Sequence, residues 1–317
     1  MNGAIVTQAG QIPQYNSFPD PVAGSHEQLI KVKAAAIHPI VKAIAAGQHY
    51  SGSAGQPFVA GVDGTGVLEN GTRVYFGGLR KPYGTMADYG VVDKNWCIPL
   101  PDGISDSVAA AIFNPAMSSW LALQHRGQLQ RGETVLILGA TGVAGRLAVQ
   151  IAKELGAAKV IAAGRNKAIL AQLPALGADE CIALDQSRED LIKAFAAQSY
   201  DVVIDYLWGE PVSTLIAAIT GKELMKEGPR TRLVQVGAMA GSNISLPADA
   251  LRSSRLELLG SGGGSVAPAA IFKAFPEIMQ RAAAGKLQIA ITEMPLREVA
   301  TAWNMEAANG GRIVLLP

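Results

Sequence analysis

Apolar residues recur along this chain with two textures, and the change falls near residue 105. Before it, short apolar runs lie at 28–37, 61–69, 72–76 and 86–92, the first beginning with alternation. Glycines and prolines punctuate them at Gly55, Pro57, Gly61, Gly64, Gly66, Gly71, Gly77, Gly78 and Pro82, which predicts a compact antiparallel or barrel-like β domain. Residues 39–46 fit a brief helix. Ser105 or Asp106 is placed to cap an apolar helix, and from Glu133 strands and helices alternate. The spacing predicts strands at 134–138, 159–163, 180–183, 201–205, 232–236 and 256–259, with helices at 143–155, 167–173, 188–197 and 211–221. In the first helix Val143, Leu147, Ala148, Ile151 and Leu155 form one apolar stripe. Apolar strands alternating with such helices specify an α/β doubly wound parallel sheet. A helix at 268–284, a strand at 288–293, a helix at 296–308 and a strand at 312–315 follow, and composition assigns this tail to neither lobe.

The segment ETVLILGATGVAGRLAVQIAKELGAAKVIAAGR, residues 133–165, carries the most specific signal. A buried strand runs into Gly139-Ala140-Thr141-Gly142-Val143-Ala144-Gly145, which opens a helix and is followed by a second strand. Glycines there allow a tight turn and let the main chain approach a pyrophosphate, while the helix start offers unpaired N–H donors and a positive dipole end. The alternative is a tight turn in an α/β domain without a ligand. A site for NAD usually has an acid about 20 residues past the glycines to bind the ribose 2′-hydroxyl. Here the second strand ends in Gly164-Arg165-Asn166-Lys167 with no acid. Arg165, and Lys167 beside it, can bind a 2′-phosphate, which predicts NADP(H) over NAD(H). A solvated surface arginine is the competing reading.

Composition narrows the class. The 317 residues suffice for about two domains. Hydrophobic residues at 49% and charged residues at 17% exclude disorder as a description of the whole. A net charge of +1 gives no case for nucleic acid. No apolar run reaches the about 20 residues of a membrane span, the first ten residues do not read as a targeting segment, and two cysteines suit a reducing cytoplasm. A cytoplasmic protein is the expectation. Cys97, Cys181 and the four histidines, His26, His38, His49 and His125, show no metal-ligand spacing, so no metal is expected. There is no nucleophile elbow, no phosphate-binding Gly-Lys-Ser/Thr turn and no Tyr-x-x-x-Lys pair. The chemistry therefore falls to a cofactor, with the protein supplying orientation and exclusion of water.

Several motifs in order resemble the zinc-free quinone oxidoreductase branch of the medium-chain dehydrogenases/reductases. They are Gly61-Val62-Asp63-Gly64-Thr65-Gly66-Val67, Thr72-Arg73-Val74-Tyr75-Phe76, the run 89–105, the glycine turn, Leu176-Gly177-Ala178-Asp179, Asp201-Val202-Val203-Ile204-Asp205 and Gly311-Arg312-Ile313-Val314-Leu315. The resemblance implies a GroES-like β-rich substrate domain, residues 1–115 and 264–317, around a Rossmann NADP-binding domain, residues 116–263, with a homodimer built on the 256–260 strand edge. It implies that the turn Ala140–Ala144 holds the pyrophosphate and Gly164, Arg165 and Asn166 the adenosine ribose phosphate. Tyr206 is then expected along the cofactor, and Gly237, Ala238, Met239, Ser261 and Gly262 facing the nicotinamide. Asn114, Ser118 and Arg312 match family positions near nicotinamide and phosphate, and Tyr50 matches a tyrosine of the quinone pocket. Where relatives read Asn-Pro, this chain has His38-Pro39, so His38 either orients substrate, donates a proton, or fills the asparagine's structural place. The expected activity is NADPH-dependent, zinc-independent hydride transfer to a quinone or related conjugated carbonyl compound, with Tyr50, His38 or water delivering the proton. An enoyl (2-alkenal or enone) reductase and a non-enzymatic NADPH-binding or sensing protein remain as alternatives.

Overall fold

The computed structural model describes residues 1–48, 56–220 and 230–317. The chain divides into two compact units, Met1–Asn114 with Ile278–Pro317, and Pro115–Glu277. The divisions fall inside two helices, Asp106–Leu121 and Pro268–Ala283, where the sequence reading places them at 115/116 and 263/264.

The unit Pro115–Glu277 is organised by one parallel sheet. Its strands are Thr134–Leu138, Lys159–Gly164, Glu180–Ala183, Val202–Asp205, Thr231–Gln235 and Leu256–Gly260. Counted one to six along the chain, they lie in the order 3-2-1-4-5-6. Val135 pairs with Val160 on one side and Val202 on the other. Helices cover both faces of such a sheet, so its central strands read as unbroken apolar runs. Val135–Leu138, Val160–Ala163 and Val202–Ile204 are accordingly buried. Of the stripe read from the sequence, the helix Val143–Glu154 buries Leu147, Ala148 and Ile151, while Val143 and Leu155 are half-buried. Each large apolar side chain buried this way contributes about 1.5–3 kcal/mol. The strand order reverses direction between the first and fourth strands, which is where doubly wound sheets open a crevice at their carboxyl ends.

The other unit contains two sheets. Gln14–Ser17, Asn2–Val6 and Phe58–Val59 form a small antiparallel one. The larger sheet runs in the order Ile291–Pro295, Arg312–Leu316, Glu27–Ala36, Asp63–Val67, Arg73–Gly77 and Cys97–Pro99, with Tyr89–Asp93 also paired to Glu27–Ala36. Val314 and Leu315 pair with Ala36 and Ala35, so the tail completes the sheet that the first hundred residues begin. Val6, Ile37, Val41, Met86, Leu296, Trp303 and Leu315 share one core here. The short helix Pro39–Ala45 starts at His38, with proline at the first helical position, where its fixed φ and missing N–H are harmless.

Several elements differ from the sequence reading. The strand expected at 61–69 is Asp63–Val67, because Gly61 turns the chain with φ 108°. The helix expected at 211–221 is Gly209–Ile219. The region 296–308 is a 3-10 turn, Leu296–Glu298, followed by Val299–Asn304. The strands Asn2–Val6 and Gln14–Ser17 were not expected. Among the described residues, no helix is long and apolar enough to cross a membrane.

Candidate active site

In the unit Pro115–Glu277 the expected nucleotide residues gather at the carboxyl ends of the strands. The first strand ends at Leu138 and Gly139 turns with φ 88°, a conformation that excludes most side chains. The backbone N–H groups of Gly139 and Ala140 both donate to the Ala163 carbonyl, 2.9 Å each, which ties the turn to the second strand. Gly142 is the N-cap of Val143–Glu154 and no side chain caps this helix start. Its first-turn N–H groups and dipole end are thus available to an anion.

The glycines of this turn do different things. A methyl group on Gly145 would sit 2.2 Å from the Gly139 oxygen and 2.6 Å from the Ala140 Cα. Close helix–strand packing therefore requires that glycine. Gly142 is exposed, and a methyl group there would meet only the Gly139 oxygen, at 3.5 Å, an ordinary contact. Among the described residues, nothing demands a bare backbone at Gly142. A bare backbone position of this kind suits a group that approaches closely, as a dinucleotide pyrophosphate does.

Apart from Ser118, the other expected residues of this unit lie at or follow the ends of the second, fourth, fifth and sixth strands. A methyl on Gly164 would meet the Thr141 side chain at 2.5 Å, so the second strand's end presses against the turn. Arg165 follows, exposed, with no hydrogen bond or ion pair among the described residues. Lys167 instead pairs with Asp185 at 2.8 Å, and Asn166 accepts from the Ile169 N–H at 3.1 Å, capping the next short helix. Tyr206 N–H donates to the Leu138 carbonyl and the Met239 N–H to the Tyr206 carbonyl. Gly237, Ala238 and Met239 thus lie beside the fourth strand's end, and Ala238 and Met239 are exposed. Ser261 N–H bonds the Gln235 carbonyl at 2.8 Å, and Gly262 N–H donates to Ser265 Oγ.

Two residues to which the sequence reading assigns no site role, Ser119 and Asp205, shape this region. The Tyr206 hydroxyl bonds Ser119 Oγ at 2.7 Å, and burial pushes its ionisation up to about 12. The expected Ser118 donates to the Pro115 carbonyl at 2.8 Å. Asp205 is fully buried and accepts from the Leu207 N–H at 2.8 Å and the Trp208 N–H at 3.0 Å. It holds a chain reversal in which Trp208 has φ 54° and Gly209 φ 62°. Burial raises its carboxyl to about 6, against the opposing pull of those two N–H groups. A lone acid closing the apolar strand Val202–Asp205 was the available signal.

The unit containing both termini carries a second cluster. His38 is 1% exposed and its Nε2 stands 3.3 Å from Asp63 Oδ1, a near pairing without the alignment of a full hydrogen bond. Asp63 Oδ2 accepts from the Tyr75 hydroxyl at 2.7 Å and from Asn114 Nδ2 at 3.0 Å. Burial alone would raise Asp63, but His38 close beside it and the bonds from Tyr75 and Asn114 outweigh it and hold the carboxyl low. Burial and the Asp63 charge together drive Tyr75 well above the ordinary phenol range. Asn114, expected beside nicotinamide, thus spends its amide on Asp63. Arg312 Nη1 donates to the Ile37 carbonyl at 3.0 Å, one residue from His38. Tyr50 lies outside the described residues. Among those residues, no three His, Cys, Asp or Glu side chains gather in a group that could hold a metal ion.

Known proteins resemble this chain over its whole length. The family described as "Zinc-binding dehydrogenase" matches residues 144–284. The "Probable NADPH-dependent quinone reductase tdiC" of Emericella nidulans is 30% identical, with 100% of both chains covered. A "2-methylene-furan-3-one reductase" of Solanum lycopersicum is 29% identical over 56% of this chain and 48% of its own length. Among solved structures, the quinone oxidoreductase of Thermus thermophilus, determined also as its complex with NADPH, is 26% identical with a TM-score of 0.82 and 100% of both chains covered.

Proposed function

The chain belongs to the medium-chain dehydrogenase/reductase superfamily, in its quinone oxidoreductase-like branch, and from that membership we propose that it is an NADPH-dependent reductase of quinones or related conjugated carbonyl compounds, acting without zinc. The observation that carries this reading is the exposed backbone at Gly142. It sits at the reversal of the 3-2-1-4-5-6 sheet, and no described residue crowds the place a side chain would take. The turn Gly139–Ala144 with the start of helix Val143–Glu154 holds the pyrophosphate. Gly164, Arg165 and Asn166 receive the adenosine ribose phosphate, and the unpaired Arg165 guanidinium selects the phosphorylated coenzyme. Tyr206, anchored on Ser119, with Gly237, Ala238, Met239, Ser261 and Gly262, lines the remainder; Asn114, Ser118 and Arg312 complete the expected set.

Bound NADPH supplies the hydride. The chain's own residues bind and orient the two reactants and exclude water, with Tyr50, His38 or solvent providing the proton. The reading assigns residues 1–115 and 264–317 to substrate and 116–263 to coenzyme, places the protein in the cytoplasm, and makes it a homodimer paired along Leu256–Gly260, the last strand of the parallel sheet. Light scattering tests the dimer, and a monomer refutes it. Consumption of NADPH against a panel of quinones, enals and enones, with NADH as control, tests the activity. Quinone reduction with NADPH preferred is the expected result; NADPH bound but oxidised by no member of the panel refutes it. The resemblance to the tomato furanone reductase favours reduction of an enone as the second reading, and a saturated carbonyl product distinguishes it from a hydroquinone.

A further inference from the structure

Trp208 stands in a backbone conformation that glycine adopts freely and other residues rarely do, φ 54° with ψ −160°. The chain nevertheless carries the largest of side chains there. Strain of this kind persists only where the surroundings hold it, and it gathers at ligand sites. Here the buried Asp205 carboxylate accepts from the Trp208 N–H, and the neighbouring Leu207 carbonyl accepts from the Ala240 N–H at 2.7 Å. Core packing accounts for only part of the indole, which meets the apolar cluster containing Leu233 but is half-buried. Its ring N–H has no hydrogen-bond partner among the described residues.

Trp208 also lines a cavity of about 370 Å³ beside the ends of the fifth and sixth strands of the parallel sheet. Every lining residue belongs to the unit Pro115–Glu277. Leu233, Leu258 and Leu259 supply apolar surface, Gln235 and Ser242 supply polar atoms, and no lining side chain is charged. Gln235 Nε2 donates to the Gly237 carbonyl at 3.0 Å, and Oε1 has no partner among the described residues. Ser242 Oγ accepts from Asn243 Nδ2 at 3.1 Å, which leaves its own proton to donate. Small-molecule sites combine apolar walls with a few polar groups in this way and span about 300–1,000 Å³. A cavity of about 150 Å³ takes one benzene ring, so this one has room for two fused rings.

From these observations we infer that the cavity is a binding site for a planar, uncharged aromatic compound of about two rings, with the Trp208 indole as the surface it packs on. The ring wall favours a flat aromatic partner. The uncharged lining excludes an ion, because a charge taken from water with no countercharge is costly. The indole N–H and the Ser242 hydroxyl call for an acceptor on the ligand, and Gln235 Oε1 for a donor. The occupant is not the coenzyme. A dinucleotide's phosphates would find no countercharge here, and of the residues expected to hold it only Ala238 lines the cavity. The site lies within one unit of the chain and does not depend on the reductase reading.

The test uses 1-naphthol as probe, a neutral two-ring compound whose hydroxyl both donates and accepts. It is titrated into the nitrogen-15-labelled full chain without coenzyme. The chain has four tryptophans, so four indole N–H signals are read by NMR, and Trp208→Phe identifies that of Trp208. The expected result is a saturable shift of the Trp208 signal while the other three stay in place. Trp208→Gly removes the ring and suits the backbone conformation. By calorimetry it should raise the Kd for the probe about tenfold, the worth of an aromatic contact, and Trp208→Phe should recover most of the loss. Should Trp208→Gly not fold, the saturable shift in the wild-type protein decides. Absence of that shift, an equal shift of all four signals, or a Kd unchanged in Trp208→Gly would overturn the inference. Competitive displacement of the probe by NADPH would overturn it by making the cavity part of the coenzyme site. Binding lost at concentrations where light scattering finds a dimer would overturn it by assigning the cavity to a second copy. Failure of the reductase reading would leave all of these readouts unchanged.

Discussion

The contrast between Gly142 and Gly145 separates what the coenzyme needs from what the fold needs. In Gly145→Ala the added methyl would lie 2.2 Å from one backbone atom and 2.6 Å from another, neither at the end of a side chain that can swing aside. The helix must move from the sheet, at a cost of about 1–3 kcal/mol or more. In Gly142→Ala the methyl meets one atom at 3.5 Å, and φ −77° with ψ 166° suits alanine. Alanine is a poorer N-cap than glycine, while the loss of unfolded-state freedom contributes about 0.4–1 kcal/mol in the other direction. The two effects nearly cancel. Binding is another matter, since in the proposed reading the methyl stands where the pyrophosphate comes close. Losing one hydrogen bond to a charged group costs about 1.5–3 kcal/mol, a tenfold to hundredfold rise in Kd. Fluorescence titration with NADPH and urea unfolding of the same preparations measure both quantities. A Gly142→Ala protein that binds NADPH as the wild type does, or that loses as much stability as Gly145→Ala, would show the reasoning to be wrong.

Other outcomes follow from single residues. Arg165→Ala should lower the preference for NADPH over NADH about ten- to hundredfold, the worth of one charge-assisted bond, in paired kcat/KM measurements; an unchanged ratio removes Arg165 from coenzyme choice. Asp205 has its carboxyl raised to about 6 by burial, so folding favours its protonated form. Its stabilising contribution is whole below about pH 4 and is lost as pH rises through about 6, a loss of about 3 kcal/mol at about 1.4 kcal/mol per tenfold change in proton affinity. Asn in its place keeps an oxygen for the Leu207 and Trp208 N–H groups. Asp205→Asn should therefore gain stability over the wild type between pH 5 and 8, and identical urea midpoints across that range would contradict it.

The sequence made the nucleotide-binding part legible because its determinants are local. The strand Thr134–Leu138 and the helix Val143–Glu154 sit where apolar periodicity and the glycines put them. The buried polar clusters were not legible for the opposite reason. Asp63 meets Tyr75 and Asn114 from 12 and 51 positions away, and Tyr206 meets Ser119 across 87. Those meetings are made by strand register and helix placement, which no short window of residues records. Asn114 shows what family position alone does not record. Its amide nitrogen donates to Asp63 from the helix Asp106–Leu121, and only the packing of that helix against the strand reveals this partner. The tail was ambiguous by composition and became readable only through the resemblance, because its strand finds its partner by tertiary pairing.

That pairing imposes an order on how the protein can be made. Arg312 bonds the Ile37 carbonyl across 275 residues, and Ala35 and Ala36 have Leu315 and Val314 as strand partners. As a nascent chain leaves the ribosome, the amino-terminal lobe emerges first yet cannot close its larger sheet, while Pro115–Glu277 has all six of its strands to hand well before translation reaches Arg312. The lobe begun first is finished last. During that interval the far end of the Glu27–Ala36 strand presents an unpaired edge, and it is there that a chaperone would have the most to shield.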